Sequence, residues 1–234
     1  MMTRDIYNRE AQGAHPPYPY PEYVSTRKRA PIHDPIRIVQ TLSEITGPRF
    51  GRQLLRKGDD DLTHFNGSEA IGERIIIAGR VLDENARPIP DALVEIWQAN
   101  AAGRYAHDAD RHPAPLDPHF CGVGRVMTGR DGAYHFTTIK PGAYPYPNHY
   151  NAWRPQHIHF SLFGPCFATR LVTQMYFPGD PLLKLDPIFN SVPDPDARDR
   201  LVSHFDIDLT VPEYALGYRF DLVLRGRSAT PMET

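Results

Sequence analysis

The stretch ERIIIAGRVLDENARPIPDALVEIWQA, residues 73–99, decides the fold. Its first part, ERIIIAGRVLD, is a β-branched run of the kind that fits a pleated, half-buried surface. DENARPIP then supplies the Asn, Asp and Pro that favour a turn. DALVEIWQA follows with apolar residues at Leu93, Val94, Ile96 and Trp97, an alternation broken once. Working outward, the same texture recurs in AYHFTTI (133–139), QHIHFSLF (156–163), TRLVTQMYF (169–177) and GYRFDLVLRG (217–226). One helix is expected near DPDARDRLVSHF, where Asp194 can cap and Pro195 sits at the first helical position. The chain carries 24 prolines, about twice the usual share of roughly 5%, which argues for short strands joined by shaped loops. The expectation is an all-β protein: an antiparallel β-sandwich with long loops, an extended Pro-rich N-terminal arm and few short helices.

The texture changes at Glu73, so residues 1–72 are expected to form an arm with a loop and short-helix region, and 73–234 the sandwich with its C-terminal tail. Within the arm, AHPPYPYPEY (14–23) is stiff and extended because proline fixes φ and restricts the residue before it. Three tyrosines in ten residues are more apolar bulk than a free linker carries, so this arm should pack against a partner chain or its own core. DPIRIVQTLSEI (34–45) reads as a short helix. A net charge of −2 with no basic run gives no reason to expect nucleic acid or a membrane surface as partner. No apolar stretch reaches the roughly 18 residues of a membrane span, and the start lacks the apolar region of a secretory signal, so a cytoplasmic location is expected. Cys121 and Cys166 are then expected to be free thiols.

The chemistry begins at NAWRPQHIHF (151–160). In an extended chain, side chains at i and i+2 share a face, so His157 and His159 present two imidazoles side by side while Ile158 points away. Two histidines are half of a metal site. Zinc with a third His, a Cys or a carboxylate is one way to complete it. However, no Asp or Glu lies between Tyr144 and Phe163. The neighbourhood offers tyrosine instead, in PGAYPYPNHY (141–150), and Tyr105 follows the tryptophan-bearing strand. A phenol titrates near 10, so only a strongly polarising cation keeps it ionised at neutral pH, and Fe(III) meets that demand better than Zn(II) or Fe(II).

Taken together, IIIAGRVLDENARPIPDALVEIWQANAAGRY (75–105), IKPGAYPYP and WRPQHIHF resemble, in this order, the signature of the intradiol ring-cleavage dioxygenases. Within that family the arm and the SEITGP segment (43–48) are most similar to the β chains of the protocatechuate enzymes. The resemblance implies a β-sandwich and one non-haem Fe(III) per chain, held by Tyr105, Tyr144, His157 and His159. It implies that a catechol chelates the iron in place of Tyr144, and that O2 cleaves the ring between the two hydroxyl-bearing carbons. Arg154 then stabilises the anionic ring, Gln174 hydrogen-bonds substrate or oxygen, and Trp97 and Ile188 supply apolar walls. Tyr23 matches a residue that contacts the substrate carboxylate. A related α chain is the implied partner, in an αβ hetero-oligomer.

Two positions depart from the family pattern. Tyr146 stands where this subgroup often has tryptophan, which leaves substrate preference open. Ala86 stands where the signature turn usually has glycine. Other readings compete with this one. AGRVLDENARPIPDALVEI also resembles prealbumin-like binding modules, and a zinc hydrolase could be built on the same histidine pair if it found an acidic base and a third ligand.

Overall fold

The structure is a computed structural model that describes residues 8–31, 33, 36, 41, 42, 46, 51–146, 153–164 and 169–233. The helix expected over 34–45, most of SEITGP, and Cys166 lie outside the described residues. Strands β1 (His64–Phe65) and β2 (Ser68–Glu69) form a small hairpin. The remaining strands are β3 (Arg74–Leu82), β4 (Leu93–Trp97), β5 (Val123–Met127), β6 (Ala133–Ile139), β7 (Tyr144–Pro145), β8 (Trp153–Arg154), β9 (His157–Phe163), β10 (Leu171–Tyr176), β11 (His204–Phe205), β12 (Leu216–Arg219) and β13 (Leu222–Val223). Short helices at Pro187–Asn190 and Pro195–Asp199 are each capped by the aspartate before their first proline, Asp186 and Asp194. Among the described residues no helix is long and apolar enough to cross a membrane.

Two sheets face each other. One is antiparallel throughout, in the order β10-β9-β4-β5. The other is mixed, which corrects the expectation of a purely antiparallel sandwich. Here β3 pairs antiparallel with β6 but parallel with both β12 and β13. The stretch 217–226 is accordingly two short strands rather than one. Between them the Asp221 carboxylate, not a backbone carbonyl, accepts the Arg80 N–H at 2.8 Å, which interrupts the ladder. Parallel pairing needs a long return connection, and the many loops and short helices between β3 and β12 provide one.

The core lies between the sheets. Ile75 and Ile77 of β3, Phe136 of β6, and Ile158, Phe160 and Leu162 of β9 are fully buried there. Phe160 joins the layers, with its ring 6.0 Å from that of Phe136 and 5.3 Å from that of Phe220. Burying each such side chain contributes about 1.5–3 kcal/mol. This packing also positions the chemistry. Because alternate residues of β9 enter the core, His157 and His159 must occupy the opposite face of the sheet. They are buried all the same, with Tyr144 against His157 and Glu233 against His159.

The N-terminal arm packs on the chain's own body. Gly13 O accepts the Asp194 N–H at 3.2 Å, His15 Nδ1 accepts the Met232 N–H at 3.1 Å, and Tyr20 Oη donates to Asn190 O at 3.4 Å. Ala14 completes a second small core with Tyr176, Phe189, Val192, Ala197 and Leu201.

Candidate metal centre

The sheet register places the candidate side chains. On β9, His157 lies opposite Tyr176 of β10, and His159 lies opposite both Gln174 of β10 and Trp97 of β4. The two imidazole centroids are 4.9 Å apart. The Trp97 indole stacks on His159 at 4.7 Å and 4°. His157 Nδ1 donates to the Pro155 carbonyl at 2.7 Å, leaving Nε2 as the acceptor. Burial, aided by the charge of Arg154, pushes the His157 pKa well below the ordinary imidazole value, so the ring is neutral, as a metal ligand must be.

Two loops bring the tyrosines to this pair. The pairing of β7 with β8 sets Tyr144 against Arg154, and Tyr144 Oη lies 3.3 Å from His157 Nε2. Tyr105 follows a tight turn in which the Asn100 side chain accepts the Arg104 N–H, and the Asp110 carboxylate accepts its own N–H at 2.8 Å. The two loops close on each other, with the Gly142 N–H donating to Asn100 O at 2.9 Å. A Cβ on Gly103 would strike the Ala143 carbonyl, and one on Gly142 would strike that of Ala101. Glycine at both positions is therefore what lets the tyrosine-bearing backbones meet.

The outcome is a closed circuit of four rings. Tyr105 and Tyr144 lie 5.3 Å apart, Tyr144 and His157 5.4 Å, His157 and His159 4.9 Å, and His159 and Tyr105 6.4 Å. Tyr105 Oη is buried beside Tyr144 and makes no well-formed hydrogen bond. A buried hydroxyl left unpaired costs about 1–3 kcal/mol, so this atom fits a ligand within the circuit. Burial raises the Tyr105 pKa well above its ordinary value, and the adjacent Tyr144 adds to the rise. Burial likewise raises that of Tyr144. Both phenols therefore keep their protons unless a strong cation displaces them. Among the described residues no cluster of three His, Cys, Asp or Glu side chains could hold a metal. The zinc reading thus lacks a conventional third ligand there, while two phenols and two imidazoles suit ferric iron.

Arg154 is 2% exposed beside this circuit. Its Nη1 lies 3.2 Å from His157 Nε2. Its Nε and Nη2 form a bidentate pair with Asp186 at 3.1 and 2.9 Å, and Nη2 also reaches Gln174 Oε1 at 2.7 Å and Tyr176 Oη at 3.0 Å. Burial alone would weaken its charge, but Asp186 and the surrounding oxygens outweigh that and hold its pKa well above the usual value. A permanent cation is thus fixed at the edge of the site. A cavity of about 810 Å³ opens beside the two phenols, lined in part by Trp97, Tyr105, His112, Tyr144 and Tyr146. That volume suits a small aromatic ligand.

Comparison with known proteins accounts for this combination. The family model described as "Dioxygenase" matches residues 45–226, and a second, "Protocatechuate 3,4-dioxygenase beta subunit N terminal", matches 7–41. The chain belongs to the intradiol ring-cleavage dioxygenases. Members of this family use non-haem iron, which agrees with the donor set. The chain is 57% identical over 222 residues to the protocatechuate 3,4-dioxygenase β chain of Burkholderia cepacia, covering 94% of each. It is 31% identical to the α chain of the Pseudomonas putida enzyme, covering 69% of this chain and 76% of that one. In fold it is similar to a hydroxyquinol 1,2-dioxygenase from Pseudomonas putida DLL-E4, with a TM-score of 0.56 at 23% identity over 86% of this chain and 70% of that one.

The remaining residues expected in an intradiol pocket fall in two places. Tyr23 at the end of the arm is buried and meets Tyr146 at the cavity, with their hydroxyls 3.2 Å apart. Trp97 lines the cavity and stacks on His159. Ile188 does not line that cavity. It borders a crevice of about 10 Å³ with Gln174, Tyr176 and Glu233. Gln174 is buried with its oxygen committed to Arg154 and Tyr176.

Sequence reasoning missed three residues that support the site: Asp186, Tyr176 and Glu233. Asp186 was hidden by a second task. Its carboxylate caps Pro187–Asn190, so the Asp-Pro pair reads as an ordinary helix start. Tyr176 had a signal, since it lies two residues after Gln174 and shares its face. Glu233, whose Oε2 is 3.1 Å from His159 Nδ1, is too far along the chain for any local pattern to find.

Proposed function

We propose that this chain is the iron-bearing β chain of a protocatechuate 3,4-dioxygenase. It would cleave protocatechuate with O2 between the two hydroxyl-bearing carbons to 3-carboxy-cis,cis-muconate, as a step of aromatic catabolism in the cytoplasm. The observation that carries this reading is the closed circuit of Tyr105, Tyr144, His157 and His159 around a phenol oxygen that makes no well-formed hydrogen bond. High identity to a β chain of that name over nearly the whole length supports the substrate assignment.

One Fe(III) per chain is assigned to these four side chains. Bound there, it would supply Lewis acidity, which would let an electron-rich catechol react with O2 without an external electron donor. His157 and His159 enter as neutral donors on a rigid strand. Tyr144, carried on a two-residue strand, would be one of the residues holding the metal, and its oxygen would be placed to accept a proton from a catechol hydroxyl. Arg154 stabilises negative charge on the bound ring in a water-poor site, where a fixed cation is worth far more than in solution. Gln174 holds Arg154 in place. Trp97 and Tyr146 bound the ring, and Tyr23 is assigned to the substrate carboxylate. Ile188 closes the crevice behind Gln174.

A related α chain is the assigned partner, in an αβ oligomer. The arm and the body together (8–72 and 73–233) then act as one unit that presents Tyr23 to the cavity. The test is oxygen uptake by the iron-loaded chain co-purified with its α chain. We expect one O2 consumed per protocatechuate, with loss of the catechol absorbance. No uptake, or a yellow product from cleavage beside the diol, would contradict the assignment.

A further inference from the structure

We propose that Glu233 is a positioning residue for the iron site, holding His159 through its Nδ1 proton so that Nε2 faces the metal as a strengthened donor. This rests on the reading of His159 as an iron ligand, and it concerns a residue that acts through another.

Three observations carry it. First, Glu233 Oε2 lies 3.1 Å from His159 Nδ1, with the glutamate side chain 19% exposed. Trp97 stacked on the same ring at 4° fixes its plane. The plane and the proton acceptor together leave Nε2 one direction. Second, the two histidines are not equivalent. His157 gives its Nδ1 proton to a neutral carbonyl, that of Pro155 at 2.7 Å, whereas His159 gives its own to a carboxylate. A carboxylate acceptor draws the proton more strongly and makes the imidazole more basic. His159 should therefore be the stronger nitrogen donor and favour the more highly charged ferric state.

Third, the segment that bears Glu233 is strapped down. The Glu233 N–H donates to Val172 O at 2.8 Å, Thr173 Oγ1 donates to Pro231 O at 2.7 Å, and the Met232 N–H donates to His15 Nδ1 at 3.1 Å. The carboxylate is thus held between β10 and the N-terminal arm. Ala229 and Thr230, which lead into it, are fully buried. A tail meeting only solvent requirements would not need this many ties.

The experiment compares the αβ complex carrying wild-type chain, Glu233→Gln, Glu233→Asp and Thr173→Val. Glu233→Gln keeps the size of the side chain and removes its charge. Thr173→Val loosens the strap and keeps the carboxylate. Three properties are read: the position of the tyrosinate-to-iron absorption band, iron retention against a chelator, and the Fe(III)/Fe(II) potential. With Glu233→Gln we expect the band at longer wavelength, iron retention reduced about 10–100-fold and a higher potential. Glu233→Asp should restore the wild-type direction in part. Thr173→Val should change all three less than Glu233→Gln does.

If Glu233→Gln leaves the three properties at wild-type values, this inference is overturned and the metal centre stands. If Thr173→Val reproduces the effect in full, the strap matters and the carboxylate does not, which also overturns it. A wild-type complex that holds iron with no tyrosinate band would overturn the metal assignment and this inference with it.

Discussion

Burial opposes charge on the two phenols and on Arg154 alike, but only Arg154 has a counter-charge that overcomes it. Tyr105 and Tyr144 lose water, and the nearby Arg154 charge offsets that only in part, so their protons bind more tightly than in solution. Arg154 loses water too, but its bidentate bond to Asp186 keeps it charged. Tyr105→Phe and Tyr144→Phe should each weaken the visible band, which keeps the contribution of the remaining tyrosine, and lose at least about 100-fold in kcat, as expected when a group that orders a metal site is removed. Intact activity in either variant would argue for a different donor set. Asp186→Asn should cost about 3–5 kcal/mol in urea unfolding, because it leaves a buried guanidinium short of its counter-charge. A third prediction concerns Ala86. The sequence departs from glycine here, and the chain nevertheless keeps the left-handed turn, with φ at 60°. Ala86→Gly should therefore stabilise the chain by about 0.5–1 kcal/mol, as relief of the Cβ clash exceeds glycine's added freedom when unfolded. A lower melting temperature would contradict that.

At the scale of elements, the readable part of the site is the part built on one strand. The period of two placed His157 and His159 on one face, and β9 delivers them there because Ile158 and Phe160 are committed to the core. The Asp194–Pro195 helix start was legible for the same kind of reason, since capping is local. What was not legible from pattern depends on contacts between distant segments. β5 escaped notice because Gly124 and Arg125 interrupt its apolar run. The break at Asp221 is set by Arg80, which lies far away in sequence. Tyr105 and Tyr144 meet only because two glycine turns interlock, and nothing within either turn says so. Family resemblance, rather than periodicity, pointed to them. Gly103→Ala tests this directly. Its φ of 76° and the Ala143 carbonyl both oppose a Cβ, so we expect a chain that folds but retains iron at least about 10-fold less well. Wild-type retention would mean that the loops tolerate separation.

In the whole molecule, the N-terminal arm and the segment bearing Glu233 converge on the face of β9 that is turned away from the core. The arm brings Tyr23 to Tyr146, and the tail brings Glu233 to His159. The covering of β9 by segments so far apart in sequence explains why this strand is buried on the face turned away from the core as well as on the core face. It also means that the site is complete only when the full chain has folded. Tyr23→Phe should raise KM for protocatechuate several-fold, with a smaller effect on catechol itself, which lacks the carboxylate. Equal effects on both would remove Tyr23 from substrate recognition. The most direct test of the central claim is the visible absorption spectrum of the iron-loaded αβ complex, taken before and after anaerobic addition of protocatechuate. We expect a red-brown tyrosinate-to-iron band that shifts when substrate binds, Tyr144 being the ligand proposed to leave and Tyr105 the one proposed to stay. A protein that holds a full complement of iron and shows no such band would contradict it.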